Sequence, residues 1–210
     1  YDYWYQDKKF KKFKNQKKNI GIALTSVLPF RYYNRKDFIV NYFRMEKDIN
    51  YFEKPWRFHE LNLNLYYISL VFKIIDRLSK KYNVSLRPHP LDSQSGWEKL
   101  YKNNKNVFID ANSNTHDWVN EQDVIISTFS AINIDSYVFK KPHISLIDMI
   151  PKEFLKFSAY DIFPYTEYKE YYSYKPKTVF ELEKKLKKIK FKKSIKIDRM
   201  LKKYYNFPSK

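Results

Sequence analysis

The chain has no cysteine and only two glycines, Gly21 and Gly96, in 210 residues. Without cysteine there are no disulfides, thiolate metal sites or cysteine nucleophiles, a composition that fits a reducing compartment. With so few glycines, no glycine-rich phosphate loop of the dinucleotide or Walker type can form. The four histidines, His59, His89, His116 and His143, lie far apart. No two of them share a helical turn, so no transition-metal site is expected. No apolar run reaches the roughly 18 residues of a membrane-spanning helix. The Tyr/Lys-rich start lacks the apolar stretch of a signal peptide. The chain begins on Tyr1 rather than Met, which reads as a fragment of a longer protein.

Charge of one sign is plentiful. The formal net charge is +18. Residues 8 to 18 hold seven Lys and no acid, and residues 184 to 203 hold eleven Lys/Arg and one acid, Asp198. These two blocks carry nearly all of the excess, so the stretch between them is close to neutral. Clustering of this kind points to an anionic surface as partner: acidic lipid headgroups, nucleic acid or an acidic polymer. A second account stays open, a codon bias that makes Lys, Asn, Ile, Tyr and Phe abundant together. Hydrophobic residues at 43% and aromatics at 20% are enough for one domain with a real core.

Short aliphatic runs alternate with helical patterns. Residues 19–25, 84–86, 107–109, 124–127 and 142–146 read as strands. Helices are expected over 34–48, 57–81, near 97–101, over 115–120 and over 130–139. The second carries Leu61, Leu65, Ile68, Val71, Phe72 and Ile75 at helical spacing. A last helix over 177–190 places Val179, Phe180, Leu182, Leu186 and Ile189 on one face. The Tyr-rich stretch 160–174 reads as loop, and there is no internal repeat. Strands alternating with helices give an α/β fold, a parallel sheet with helices on both faces.

Two segments carry chemistry. Leu86-Arg87-Pro88-His89-Pro90 follows a short strand. Its prolines fix the directions of Arg87 and His89, and an arginine fork beside an imidazole suits a phosphate. An ordinary Pro-rich loop with a solvated Arg is the alternative. The second segment runs from Asp123 to Asp135. A buried strand opens into Ser127, Thr128 and Ser130 and then a helix, hydroxyls and N–H groups that can bind phosphate without glycine. A plain helix capped by Ser130 is the alternative there. Asp135, further along that helix, either accepts hydrogen bonds from a ribose or sugar hydroxyl or faces solvent. In open α/β sheets, two such turns after strands meet at the carboxyl edge, where ligands bind. The predicted strands are aliphatic rather than aromatic and basic, which counts against an RNA-binding platform.

In this order, Arg87-Pro88-His89-Pro90, the short helix with Asp117-Trp118-Val119, Val124–Ser130, and a helix leading to Lys141-Pro142 resemble the carboxyl-terminal half of GT-B type transferases. The closest resemblance is to bacterial capsule or O-antigen glycosyltransferases. CDP-glycerol-type polyol-phosphate transferases share the pattern, including an Asp at position 135. Tyr1-Asp2-Tyr3-Trp4 is similar to the segment joining the two halves of such proteins. The resemblance spans most of residues 1 to 190. It implies a Rossmann-like nucleotide-donor domain over 19–176, preceded by a basic interdomain segment over 1–18 and followed by basic helices over 177–210. It implies a nucleotide-sugar donor, a glycan or lipid-linked acceptor held by an amino-terminal domain missing from this sequence, no cofactor, and Thr25 and Ser26 facing the interdomain cleft. The departing phosphate would be met without a metal by Arg87, His89, the hydroxyls and helix N–H groups. The general base would come from the missing half, leaving this chain nearly inactive alone. The implied location is cytoplasmic, at the inner face of the membrane.

Three functional readings follow: a glycosyltransferase for surface polysaccharide, a CDP-glycerol transferase of the teichoic-acid type, and a noncatalytic basic domain that grips nucleic acid or membrane.

Overall fold

A computed structural model describes residues 17–25, 55–90, 92–110, 113–128, 130, 132–155 and 174–205. The helix expected over 34–48, the loop 160–174 except its last residue, Ser26, and most of the first basic block lie outside the described residues.

Strands β1 (Asn19–Ala23), β2 (Asn83–Arg87), β3 (Val107–Ile109), β4 (Val124–Ser127) and β5 (His143–Ser145) form one sheet in the order β3-β2-β1-β4-β5. Every pairing is parallel. Helices fill the crossovers: α1 (Pro55–Leu78), α2 (Gln94–Tyr101), α3 (Thr115–Glu121) and α4 (Ile132–Val138). A 3-10 turn at Ile147–Met149, α5 (Lys152–Leu155), α6 (Val179–Leu186) and α7 (Ile195–Tyr205) follow. The architecture is the expected α/β, Rossmann-like sheet. Its inner strands are β2, β1 and β4.

The two-residue period of each strand sorts its side chains between two faces. Ile20, Ile22, Leu24, Val84, Leu86, Val124 and Ile126 join one core with α1, α6 and Trp97 of α2. Ala23 and Ile125 look the other way, into a smaller core with Trp118, Val119 and Ile132 of α3 and α4. Burial on both faces explains why these strands read as unbroken apolar runs.

Two helix faces differ from expectation. In α1, Ile68, Val71 and Ile75 of the expected stripe are buried, whereas Leu65 is 47% exposed and Leu63, Tyr67, Leu70, Ile74 and Leu78 complete the buried face. The stripe runs one step round from Leu61 and Leu65, because tyrosine rings at 66 and 67 bury with the aliphatics. In α6, Phe180 is 65% exposed. Leu182 and Leu186, one turn apart, define the buried face, and position 180 lies roughly 200° from 182 at 100° per residue. This helix also stops at Leu186, short of residue 190.

Gly21 has a packing reason. A Cβ there would lie 2.6 Å from Gln122 Cγ and 2.9 Å from the Trp118 ring. The ring is fully buried and its Nε1–H donates to Ser85 Oγ at 2.8 Å, so it is not free to retreat. Gly21→Ala should therefore cost about 1–3 kcal/mol by overpacking. Urea unfolding measures this, and a midpoint unchanged from wild type would mean that α3 packs more loosely than described.

Candidate functional site at the carboxyl edge of the sheet

The strand order reverses at β1. The chain moves outward through β2 and β3, then returns to place β4 on the other side of β1. The crevice between the carboxyl ends of β1 and β4 is the switch point, where open α/β sheets bind ligands. The turns after β2 and β4 both open at this edge, since all the strands are parallel.

Thr25 leaves β1 and Thr128 leaves β4, and their hydroxyls hydrogen-bond across the crevice. The Tyr67 hydroxyl arrives from α1 and accepts the Thr25 N–H at 3.3 Å. Burial pushes the Tyr67 phenol above its ordinary value, with Thr25 and Thr128 opposing and Asp92 reinforcing the rise. Asp92 is buried in the turn after β2, where its N–H donates to the His89 carbonyl at 2.8 Å. That turn fixes Pro88 and His89, both at least half-buried. A neutral hydroxyl cluster thus lines the switch point.

Beside it lies a charged cluster. Arg87, the last residue of β2, donates from Nη1 to Ser113 Oγ (3.1 Å) and from Nη2 to Ser113 O (2.9 Å) and Thr115 Oγ1 (3.1 Å). Its guanidinium sits 5.7 Å over the Trp118 ring. Much of the fork's hydrogen-bonding capacity is spent inside the protein, which leaves charge more than geometry for a ligand. Burial lowers its pKa from the ordinary value, opposed by Asp110 and Asp135. Asp110 in turn accepts the Ser113 N–H at 3.0 Å, so the loop that holds Arg87 is itself tied down.

His116 and Asp135 meet at this edge, Nε2 to Oδ1 at 3.3 Å. Asn114 caps α3 by accepting the His116 N–H at 2.8 Å, which sets the start of that helix. Burial raises the Asp135 carboxyl above its usual range, against the lowering influence of His116 and Arg87. Asp135 therefore does not simply face solvent, and a half-buried carboxyl beside an imidazole can hold or pass a proton.

The remaining expected residues divide. Ser130 Oγ accepts the Ile132 N–H at 3.3 Å and so serves α4. Ser127 is fully buried, its hydroxyl 2.9 Å from His143 Nε2. Tyr67, Asp92, Ser113, Thr115 and His116 were not singled out from sequence. His116 followed a capping Asn at a helix start, but its partner was a carboxylate on another helix, which a search for paired histidines passes over. Among the described residues no group of three His, Asp or Glu side chains gathers to hold a metal, and no helix is long and apolar enough to cross a membrane.

The model of the CDP-glycerol:poly(glycerophosphate) glycerophosphotransferase family matches residues 48–152. That is half of the chain, and it contains both turns and both members of the His116–Asp135 pair. The chain belongs to this transferase family. No curated protein matches it. The β1 strand and Thr25 lie outside the matched residues.

Burial pushes the His143 imidazole down to about 3. The folded chain keeps it neutral, whereas the unfolded chain binds its proton below about pH 6.5. Its contribution is complete above that pH and lost as pH falls from about 6.5 towards 3, with a slope of roughly 1.4 kcal/mol per pH unit. Urea unfolding between these pH values should lose stability more steeply in wild type than in His143→Gln, the two slopes differing by about this amount whatever the variant's absolute stability. Equal slopes would mean that His143 protonates within the fold.

Proposed function

We propose that this chain is the donor-binding half of an enzyme that transfers glycerol phosphate from CDP-glycerol to a hydroxyl of a growing poly(glycerophosphate) chain. The family match carries this reading, and the switch-point site supports it. Both donors considered from sequence are nucleotide-activated; the family favours the polyol phosphate over the sugar. In the reaction, the acceptor oxygen attacks the phosphorus that bears glycerol. A new P–O bond forms there, the P–O bond to CMP breaks, CMP leaves with the electron pair, and the acceptor proton passes to a base. The protein's task is to position the groups and meet the charge.

In this proposal the hydroxyls of Thr25 and Thr128, the charge of Arg87 and a hydrogen bond from His89 meet the departing phosphate. Ser127 and Ser130 shape the turn through His143 and the α4 cap. Asp135, oriented by His116, accepts hydrogen bonds from the polyol. Ser26 is proposed to face the same cleft. The acceptor and the general base belong to a second domain, the acceptor being polymer-borne or lipid-linked, and no divalent metal takes part. Domain limits of 19–176, flanked by basic segments, complete the proposal, with the enzyme acting on the cytoplasmic side.

The test is transfer of label from CDP-glycerol by the full-length protein, with a nucleotide sugar as parallel donor and with chelator added. Transfer from CDP-glycerol, insensitive to chelator, is expected. His89→Ala and Asp135→Asn should each lower kcat by about 100-fold or more while leaving thermal stability nearly unchanged. Turnover with the nucleotide sugar alone would establish the glycosyltransferase reading instead. Nucleic-acid binding without transfer from either donor would establish the noncatalytic one.

A further inference from the structure

Among the described turns that flank the strands, lysines gather at one edge of the sheet. Lys17 and Lys18 lead into β1, Lys80 and Lys81 into β2, Lys105 into β3, and Lys140 and Lys141 into β5. Only β4 is entered through acids, Glu121 and Asp123. Because the strands are parallel, all of these approaches lie at the amino edge. The described turns at the carboxyl edge, residues 24–25, 88–90, 92–93, 110, 113–114, 128, 130 and 146–151, contain no lysine and carry Asp92, Asp110 and Asp148.

The carboxyl-terminal basic block reaches the same amino edge. Lys18 Nζ donates to the Leu186 carbonyl at 3.0 Å, so the end of α6 lies beside the start of β1. Lys187, Lys188 and Lys190 follow at once and are exposed, as are Lys80, Lys105 and Lys140. Some charge there is already used. Lys81 and Arg77 pair with Glu183, Lys141 donates to the Asn120 carbonyl, and Asp123 accepts the Asn19 N–H at 2.7 Å. The exposed lysines still outnumber the acids. Beyond them the chain passes to the other face, where Phe191, Ile197 and Leu201 pack on Tyr137 near the end of α4. Ser194 donates its N–H to the Tyr137 hydroxyl at 2.8 Å. Ile195, next in line and 70% exposed, emerges beside Lys192 and Lys193.

We infer that the amino edge of the sheet is a docking face for an anionic lipid bilayer. Five strands spaced about 4.8 Å apart spread the lysines over a front about 19 Å wide, formed by strand-entry turns. Lysines are flexible point charges, suited to a fluid array of headgroups, whereas tight recognition of a single phosphate favours arginine forks. Ile195 adds an apolar side chain that can reach below the headgroups. Docking here turns the carboxyl edge away from the bilayer and leaves the proposed donor site open. This inference stands apart from the donor's identity.

The experiment is co-sedimentation of the full-length protein with vesicles of phosphatidylcholine alone or of phosphatidylcholine with phosphatidylglycerol. Binding is expected only with the anionic lipid. It should be lost between about 0.1 M and about 1 M salt, as the Debye length falls from about 10 Å to about 3 Å. Lys80→Gln, Lys105→Gln, Lys140→Gln and Lys188→Gln together should weaken the partition by about tenfold or more. Circular dichroism and transfer to a soluble acceptor should remain unchanged. The pair Lys152→Gln and Lys177→Gln, away from this edge, should bind vesicles like wild type. Equal binding to neutral vesicles, equal loss in the two variant sets, or capture of soluble poly(glycerophosphate) in place of vesicles would overturn the inference.

Discussion

Everything at the carboxyl edge depends on β1 lying between β2 and β4. That placement makes the chain return across the sheet, and the return opens a crevice at the strand ends. It also requires a position in β1 with no side chain. Gly21 leaves room for the buried Trp118 ring against β1, and Trp118 both bonds Ser85 and lies under the Arg87 guanidinium. The same helix starts with His116. A close approach of ring to backbone in the middle of the sheet thus fixes the charged groups at its end.

The two edges have opposite chemistry. Among the described residues at the carboxyl edge, Arg87, Asp110, Asp135 and His116 are partly buried and matched against one another: Arg87 with Asp110 and Asp135, and Asp135 with His116. Partial burial strengthens each interaction and makes each unpaired charge costly, which suits the proposed role of meeting a transferred phosphate. At the amino edge the lysines are many, exposed and long. Individually they are screened and weak, and only a large anionic surface meets several at once. One parallel sheet presents both because every strand begins on one side and ends on the other.

Much of this was legible in the sequence because parallel strands and crossover helices leave local signatures. Aliphatic runs such as Val124–Ser127 and the Pro-flanked Arg87 marked strand ends, and strand ends are where ligands bind. Side-chain pairings across elements were not legible. The Thr25–Thr128 contact depends on β1 and β4 being neighbours, which no local pattern states. His116–Asp135 depends on two seven-residue helices packing together. The exposure of Phe180 and Leu65 shows that apolar identity at nearly helical spacing does not fix which side of a helix is buried. The lysines were visible as two terminal blocks, but those leading into β2, β3 and β5 looked scattered until the fold brought them to one edge.

The proposed function requires the nucleotide donor to bind at the switch point between β1 and β4. Hydrogen exchange of the full-length protein with and without CDP-glycerol tests this most directly. Protection should appear in peptides that contain Thr25, Arg87 to Asp92 and Ser127 to Asp135, with the strand-entry segments around Lys80, Lys105 and Lys140 unchanged. Protection confined to those amino-edge segments, or none in either set at saturating ligand, would contradict it.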